Sequence, residues 1–290
     1  MPPVQARTPV ERSWAERVRA NREQVERIRE VPDGSDFYAP VTSLFRADPR
    51  RADEPVLDLL RELVEPGETW LDIGAGAGRY ALPIALLAGE VIALDPSTGM
   101  LGALREQMAE LGVPNVRPVD GRWPPNPTVA ATLGGFPVAD VALIAHVGYD
   151  VEAIGPFVEA MERAARRVCV AVLMERQPAS VADPFWPPIH HEVRVALPAL
   201  PDFVELLRER GRQPAVTVVQ REPRTFETRA ELEGFLRRQL WIADGGEKER
   251  RYRAALEELV LERDGGFGLR DQEPMPVGVV VWRPRTGGGE

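Results

Sequence analysis

The chain has 290 residues, 44% of them hydrophobic and 28% charged, with a formal net charge of −9. That composition is ordinary for a globular protein and long enough for one α/β domain with additions. The acidic balance argues against gripping nucleic acid through a basic surface, the single cysteine (Cys169) excludes an intrachain disulfide framework or a cysteine-based zinc site, and no apolar stretch reaches the length of a membrane span.

The opening Met-Pro-Pro-Val lacks a signal-peptide pattern, so a cytoplasmic location is expected. Residues 10–30 are dense in Glu and Arg, with Trp14, Val18, Val25 and Ile28 at helical spacing. They predict a helical arm within an N-terminal unit, 1–35, either docked through that stripe or acting as a flap or dimer arm. Phe37, Tyr38 and Phe45 follow, and Leu57, Leu60, Leu63 and Val64 mark a helix over 54–63. The stretch 69–80, Thr-Trp-Leu-Asp-Ile-Gly-Ala-Gly-Ala-Gly-Arg-Tyr, then reads as a buried strand, a glycine-rich turn and the start of a helix, the layout of a nucleotide-type site. The dinucleotide fingerprint would place its third glycine at position 79, which is Arg79; the glycines here are Gly74, Gly76 and Gly78. Asp72 would repel a pyrophosphate but suits a cationic amino group. That combination favours S-adenosylmethionine (SAM), which carries an ammonium and a sulfonium and no phosphate. Val91–Leu94 is the next strand. Asp95 ends it, and Pro96-Ser97 leads into a helix over 98–111 closed by Gly112.

Leu71–Gly78 resembles motif I of the class I SAM-dependent methyltransferases, and Val91–Ser97 resembles the second motif of that family. The resemblance covers residues 36–175 well and the tail in outline. It implies an α/β, Rossmann-like, seven-stranded, mostly parallel sheet of order 3-2-1-4-5-7-6, its last strand antiparallel, with helices on both faces, in a domain over 36–285. It also implies SAM as cofactor and S-adenosylhomocysteine (SAH) as product. Carried onto this chain, Asp72, Gly74, Ala75, Gly76, Gly78, Asp95, Pro96, Ser97 and Met100 are cofactor-binding candidates, with Asp95 accepting the ribose hydroxyls, and Tyr38 closes over the cofactor.

Asn115–Val119 reads as a third strand. The resemblance gives Asp120 and Gly121 to the adenine edge and Trp123 to the cover of its ring. An apolar run over 138–147 reads as the central fourth strand, ending near His146, Tyr149 and Asp150. The Asp/Asn-Pro-Pro-Tyr/Phe and Pro-Cys forms of the fourth family motif are absent, which disfavours DNA-base acceptors. Strand 5 covers 167–173. His190 and His191, beyond it on the ligand side, are substrate-pocket candidates; as sequence neighbours they cannot readily share a metal, and none is expected. A helix over 201–210, a strand over 215–220, a capping box at Thr228, helices on either side of Gly245-Gly246 and a last strand over 277–282 complete the reading. The segment 220–276 is expected to be a helical insert or lid, and 286–290 a disordered tail.

Methyl transfer from a sulfonium is an in-line displacement in which positioning supplies much of the rate. An amine or hydroxyl acceptor also needs a proton taken away. His146 and Tyr149 are the catalytic candidates, with His146 also bordering the cofactor. The expected function is methyl transfer to a small-molecule N or O nucleophile; the alternative is a non-catalytic SAM/SAH-binding sensor or scaffold. Neither nucleic acid nor a membrane is expected as partner, and a homodimer is left open.

Overall fold

The computed structural model describes residues 8–32, 46–52, 54–263 and 265–285. Tyr38, with Phe37 and Phe45, lies outside them. The strands are, in chain order, β1 (Thr69–Ile73), β2 (Glu90–Asp95), β3 (Val116–Asp120), β4 (Ala139–Ala145), β5 (Ala165–Met174), β6 (Ala215–Arg221), β7 (Val260–Arg263), β8 (Gly266–Leu269) and β9 (Met275–Trp282). The main sheet runs β3-β2-β1-β4-β5-β9-β6. β9 is antiparallel to both β5 and β6, and the remaining pairings are parallel. This is the expected order, with β9 standing in the place expected of strand 7, between β5 and β6, because the insert carries a hairpin, β7–β8, of its own.

The helices are α1 (Pro9–Ile28), α2 (Pro55–Glu62), α3 (Ala81–Ala85), α4 (Thr98–Leu111), α5 (Pro127–Leu133), α6 (Ile154–Ala164), α7 (Trp186–His190), α8 (Leu200–Glu209), α9 (Arg229–Leu240) and α10 (Glu247–Leu259). Strands read as continuous apolar runs because helices cover both faces. Successive β1 residues enter opposite layers: Leu71 and Ile73 join Trp14, Ile144, Phe157 and Phe203, whereas Trp70 joins Leu57, Leu60, Val91 and Leu143.

The N-terminal arm is docked. Its start is fixed by a reciprocal Thr8–Glu11 capping box. The Trp14 indole N–H donates to the Val151 carbonyl at 3.0 Å, its ring meets Phe203 edge-on at 6.4 Å, and Arg17 pairs with Asp202 at 2.6 Å.

The insert has its own core. Leu232, Leu236, Leu240, Tyr252 and Leu256 pack with Phe185, Trp186 and Ile189 and with Ile28 at the end of α1. The segment expected to be a helical insert also carries strands: α10 ends at Leu259, and the next residues pair as β7 with β8. Two helical pieces were unforeseen, α5 and the Pro178–Phe185 3₁₀ segment that runs into α7. Each has proline in its first turn, where the missing N–H costs nothing. Among the described residues no helix is long and apolar enough to cross a membrane.

Candidate active site

The site forms where β1, β2, β3 and β4 deliver their carboxyl ends, the usual ligand side of such sheets. β1 leads into the turn through Gly74, Gly76 and Gly78, all left-handed at φ of 77°, 55° and 89°. The Gly74 and Ala75 N–H groups donate to the Leu94 carbonyl at 2.7 and 3.1 Å, tying the turn to β2. A Cβ on Gly74 would lie 2.5 Å from Val147 Cγ2, and one on Gly78 would lie 2.5 Å from Leu104 Cδ1. Close packing against the protein itself therefore demands these two glycines. At Gly76 the nearest atom among the described residues is Met100 Sδ, 3.9 Å away, so among them the turn is open on that side.

Asp95 holds the turn from β2. Its Oδ2 accepts the Gly76 N–H and its Oδ1 the Ser97 N–H, each at 2.8 Å. Ser97 in turn caps α4 by accepting the Met100 N–H at 3.1 Å. Pro96 is exposed between them. Each carboxylate oxygen carries two acceptor lone pairs, the chemistry that suits a vicinal diol. Asp120 stands beside Asp95 in the β2–β3 register and is exposed, and the Gly121 N–H donates to the Asp95 carbonyl at 3.2 Å. Trp123 is anchored through its indole N–H to the Phe157 carbonyl at 3.2 Å with its ring partly exposed. The ribose and adenine candidates thus stand together on adjacent strand ends.

Asp72 is buried, and its Oδ1 has no hydrogen-bond partner among the described residues. Burial, and secondarily the nearby Asp95 carboxylate, push its pKa up to about 7. A buried carboxylate with an open oxygen is costly unless a cation meets it.

β4 ends at His146, whose backbone is left-handed at φ 58° and whose N–H donates to the Val172 carbonyl at 2.8 Å. A non-glycine residue held there marks a position where the surrounding structure imposes the conformation. Its Nδ1 is buried without a partner among the described residues. Burial, then the Arg221 and Arg79 charges, lower its pKa to about 3, so the imidazole is neutral at pH 7. Tyr149 is buried, its hydroxyl accepts the Met174 N–H at 2.8 Å, and burial raises its pKa. The phenol thereby latches the segment after β4 to the end of β5.

Sequence reasoning missed a second ring of residues. Glu54 accepts from Arg51 at 2.5 Å and from Arg79 at 2.9 Å, and the Tyr80 hydroxyl donates to it at 3.4 Å. Arg51 also donates to the Arg79 carbonyl at 2.9 Å. This network braces the turn from the α2 side. Arg79 carried a readable signal, since it directly follows the motif glycines; Glu54 and Arg221 carried none.

His190 and His191 are not brought to this place. The His190 ring packs on Trp186 at 4.8 Å, and burial followed by the Lys248 charge lowers its pKa to about 4. His191 Nε2 faces the Arg251 guanidinium. These neighbours belong to α7 and α10, whereas those of His146 are Tyr80, Arg79, Glu54 and Arg221.

Residues 71–132 match a family described as a methyltransferase domain. The ribosomal RNA small subunit methyltransferase G of Mycobacterium leprae is 41% identical over 66 residues, 22% of this chain and 26% of that protein. The Neisseria gonorrhoeae protein of the same description is 39% identical over 61 residues, 20% of this chain and 30% of that protein. The chain thus spans less than a third of the curated relatives it matches. Among solved structures, the YcgJ protein of Bacillus subtilis superposes with a TM-score of 0.52 at 16% identity, over 79% of this chain and 98% of that chain. A Geobacter sulfurreducens SAM-dependent methyltransferase in complex with SAH gives a TM-score of 0.51 at 16% identity, over 84% and 96%. Strand order, glycine turn and matched segment agree: residues 71–132 match a methyltransferase domain, and the sheet has the fold of the solved SAM-dependent methyltransferase.

Proposed function

We propose that this protein binds SAM and transfers its methyl group to a small-molecule N or O nucleophile. The observation that carries the reading is Asp72: a buried carboxylate with an open oxygen at the base of a glycine turn, with Asp95 poised one strand away. The residues fit the group. Asp72 would take the ammonium, the open side of Gly76 would admit the methionine end, and Asp95 would accept the ribose hydroxyls. Asp120 and Trp123 would hold the adenine. SAM supplies an electrophilic methyl on a sulfonium; the chain's own task is to orient the acceptor and to remove its proton. His146 is neutral and stands at the end of the central strand, which suits a proton acceptor, while Tyr149 serves by positioning the β4 end. The acidic whole-chain charge favours a small acceptor over nucleic acid, although the short stretch shared with the methyltransferase G proteins makes RNA the acceptor class to test alongside.

One observation favours the non-catalytic alternative: an imidazole whose pKa is near 3 is a weak base. Calorimetric titration with SAM and SAH tests cofactor binding, and release of SAH in the presence of small-metabolite pools or RNA tests turnover. Failure of both ligands to bind would remove the reading. Binding of both without turnover on any acceptor would favour the sensor.

A further inference from the structure

Among the described residues, the guanidinium groups next to His146 exceed the carboxylates that face them. Arg221 ends β6 opposite Met275 of β9, and two residues along β9 Val277 pairs with Met174 of β5, the residue that bonds the Tyr149 hydroxyl. From there the Arg221 charge acts on His146, Tyr149, Tyr80 and Arg224. Arg79 reaches the same cluster and acts on His146, Tyr80 and Arg224. Among the described residues, the facing carboxylates are Glu54, already shared between Arg51 and Arg79, and Glu231, which acts on Arg224. Arg221 is partly buried and has no side-chain hydrogen bond or ion pair among the described residues. Cations that repel one another beside an unpaired imidazole are unfavourable unless an anion joins them.

We propose that the methyl acceptor bears an oxyanion group, a carboxylate or a phosphate, and that Arg221 together with Arg79 binds it beside His146. This rests on the methyl-transfer reading above and deepens it by naming the acceptor's chemical class. Arg221 supplies a planar fork of donors that fits either oxyanion in a bidentate manner. An anion seated there also offsets the two charges that add to burial in lowering the imidazole's pKa, so His146 becomes a better proton acceptor when the acceptor is in place.

The chain has three histidines, which allows a direct test by ¹⁵N-histidine NMR with His146 assigned by a His146→Asn variant. Benzoate and phenyl phosphate, as carboxylate and phosphate probes, are titrated into the free and the SAH-loaded protein. The expected result is saturable binding of at least one probe, with the His146 pKa moving up toward the ordinary histidine range. Arg221→Gln should weaken the probe about tenfold or more, with SAH affinity unchanged, and Arg221→Lys should fall between the two. Which probe binds distinguishes a carboxylate from a phosphate acceptor. No saturable binding, or equal binding to Arg221→Gln, overturns the proposal. Parallel loss of SAH affinity also overturns it, assigning the guanidinium to the cofactor's own carboxylate. Probe binding by a protein that fails to bind SAH keeps the anion site and rejects the methyl-transfer reading. Should Arg221→Gln melt early, probe binding to Arg221→Lys and the wild-type His146 pKa shift decide between the same outcomes.

Discussion

Asp95 Oδ2 accepts the Gly76 N–H at 2.8 Å, so the acid that ends β2 also sets the conformation of the turn after β1. The same carboxylate reaches the Ser97 N–H and through it the cap of α4. One side chain therefore shapes both the turn and the helix cap.

Asp95→Ala should weaken SAM and SAH about tenfold to a hundredfold in calorimetry, since both the diol acceptor and the turn's anchor disappear at about 1.4 kcal/mol per decade. It should also lower the melting temperature. Unchanged affinity would remove Asp95 from the ribose site.

Asp72 has a folded pKa near 7, above its unfolded value, because ionising it in the interior is unfavourable. The folded state thus binds a proton that the unfolded state has lost, and stability falls as pH rises from about 4 to about 7. Asp72→Asn should melt higher than wild type at pH 8 and show a flatter dependence of stability on pH across that window. A ligand ammonium stabilises the ionised form, so SAH affinity should rise with pH up to about 7 and plateau, with proton release below it. The Asn variant should bind SAH more weakly and lose this pH dependence. An affinity for SAH equal to wild type would dissociate Asp72 from the ammonium.

Gly74 combines a φ of 77° with a Cβ position 2.5 Å from Val147 Cγ2. Gly74→Ala should cost about 2–4 kcal/mol, from the left-handed backbone and from overpacking together. Adding Val147→Ala should recover the overpacking part and leave the backbone part. Denaturant unfolding of the single and double variants separates the two. Full recovery would mean that backbone strain contributes nothing.

His146→Ala should lower turnover more than SAM affinity if the imidazole accepts the acceptor's proton; equal losses would make it a binding or structural residue. Its depressed folded pKa has a thermodynamic sign as well. The neutral ring is favoured in the folded state, so its contribution is present above the unfolded pKa of about 6.5 and is lost as pH falls toward 3. The Ala variant should lack this acid-side loss.

Tyr149→Phe leaves the Met174 N–H without its side-chain acceptor inside the protein. The expected cost is about 1–3 kcal/mol of stability, with SAM affinity little changed. A selective loss of turnover with unaltered melting would instead place the phenol in the chemistry.

What the sequence determined by itself is everything encoded over short separations. Asp72 and the three glycines lie within seven residues, and Asp95, Ser97 and Met100 lie within six, so strand alternation, positive φ and capping locate them without knowledge of the rest. Apolar runs separated by helical patterns gave the parallel sheet, and the family resemblance gave its order. Tertiary structure alone decided which distant side chains meet. Arg221 lies 75 residues beyond His146 and acts on it because β9 returns antiparallel between β5 and β6 and sets Arg221 in register near the end of β5. His190 and His191 are far nearer to His146 in sequence than Arg221 is, yet they are drawn away because Trp186 and Ile189, beside them, are buried in the insert's own core. The physical reason is common to both: local pattern limits backbone conformation, while charge and solvation depend on neighbours that only the assembled sheet and cores bring within reach.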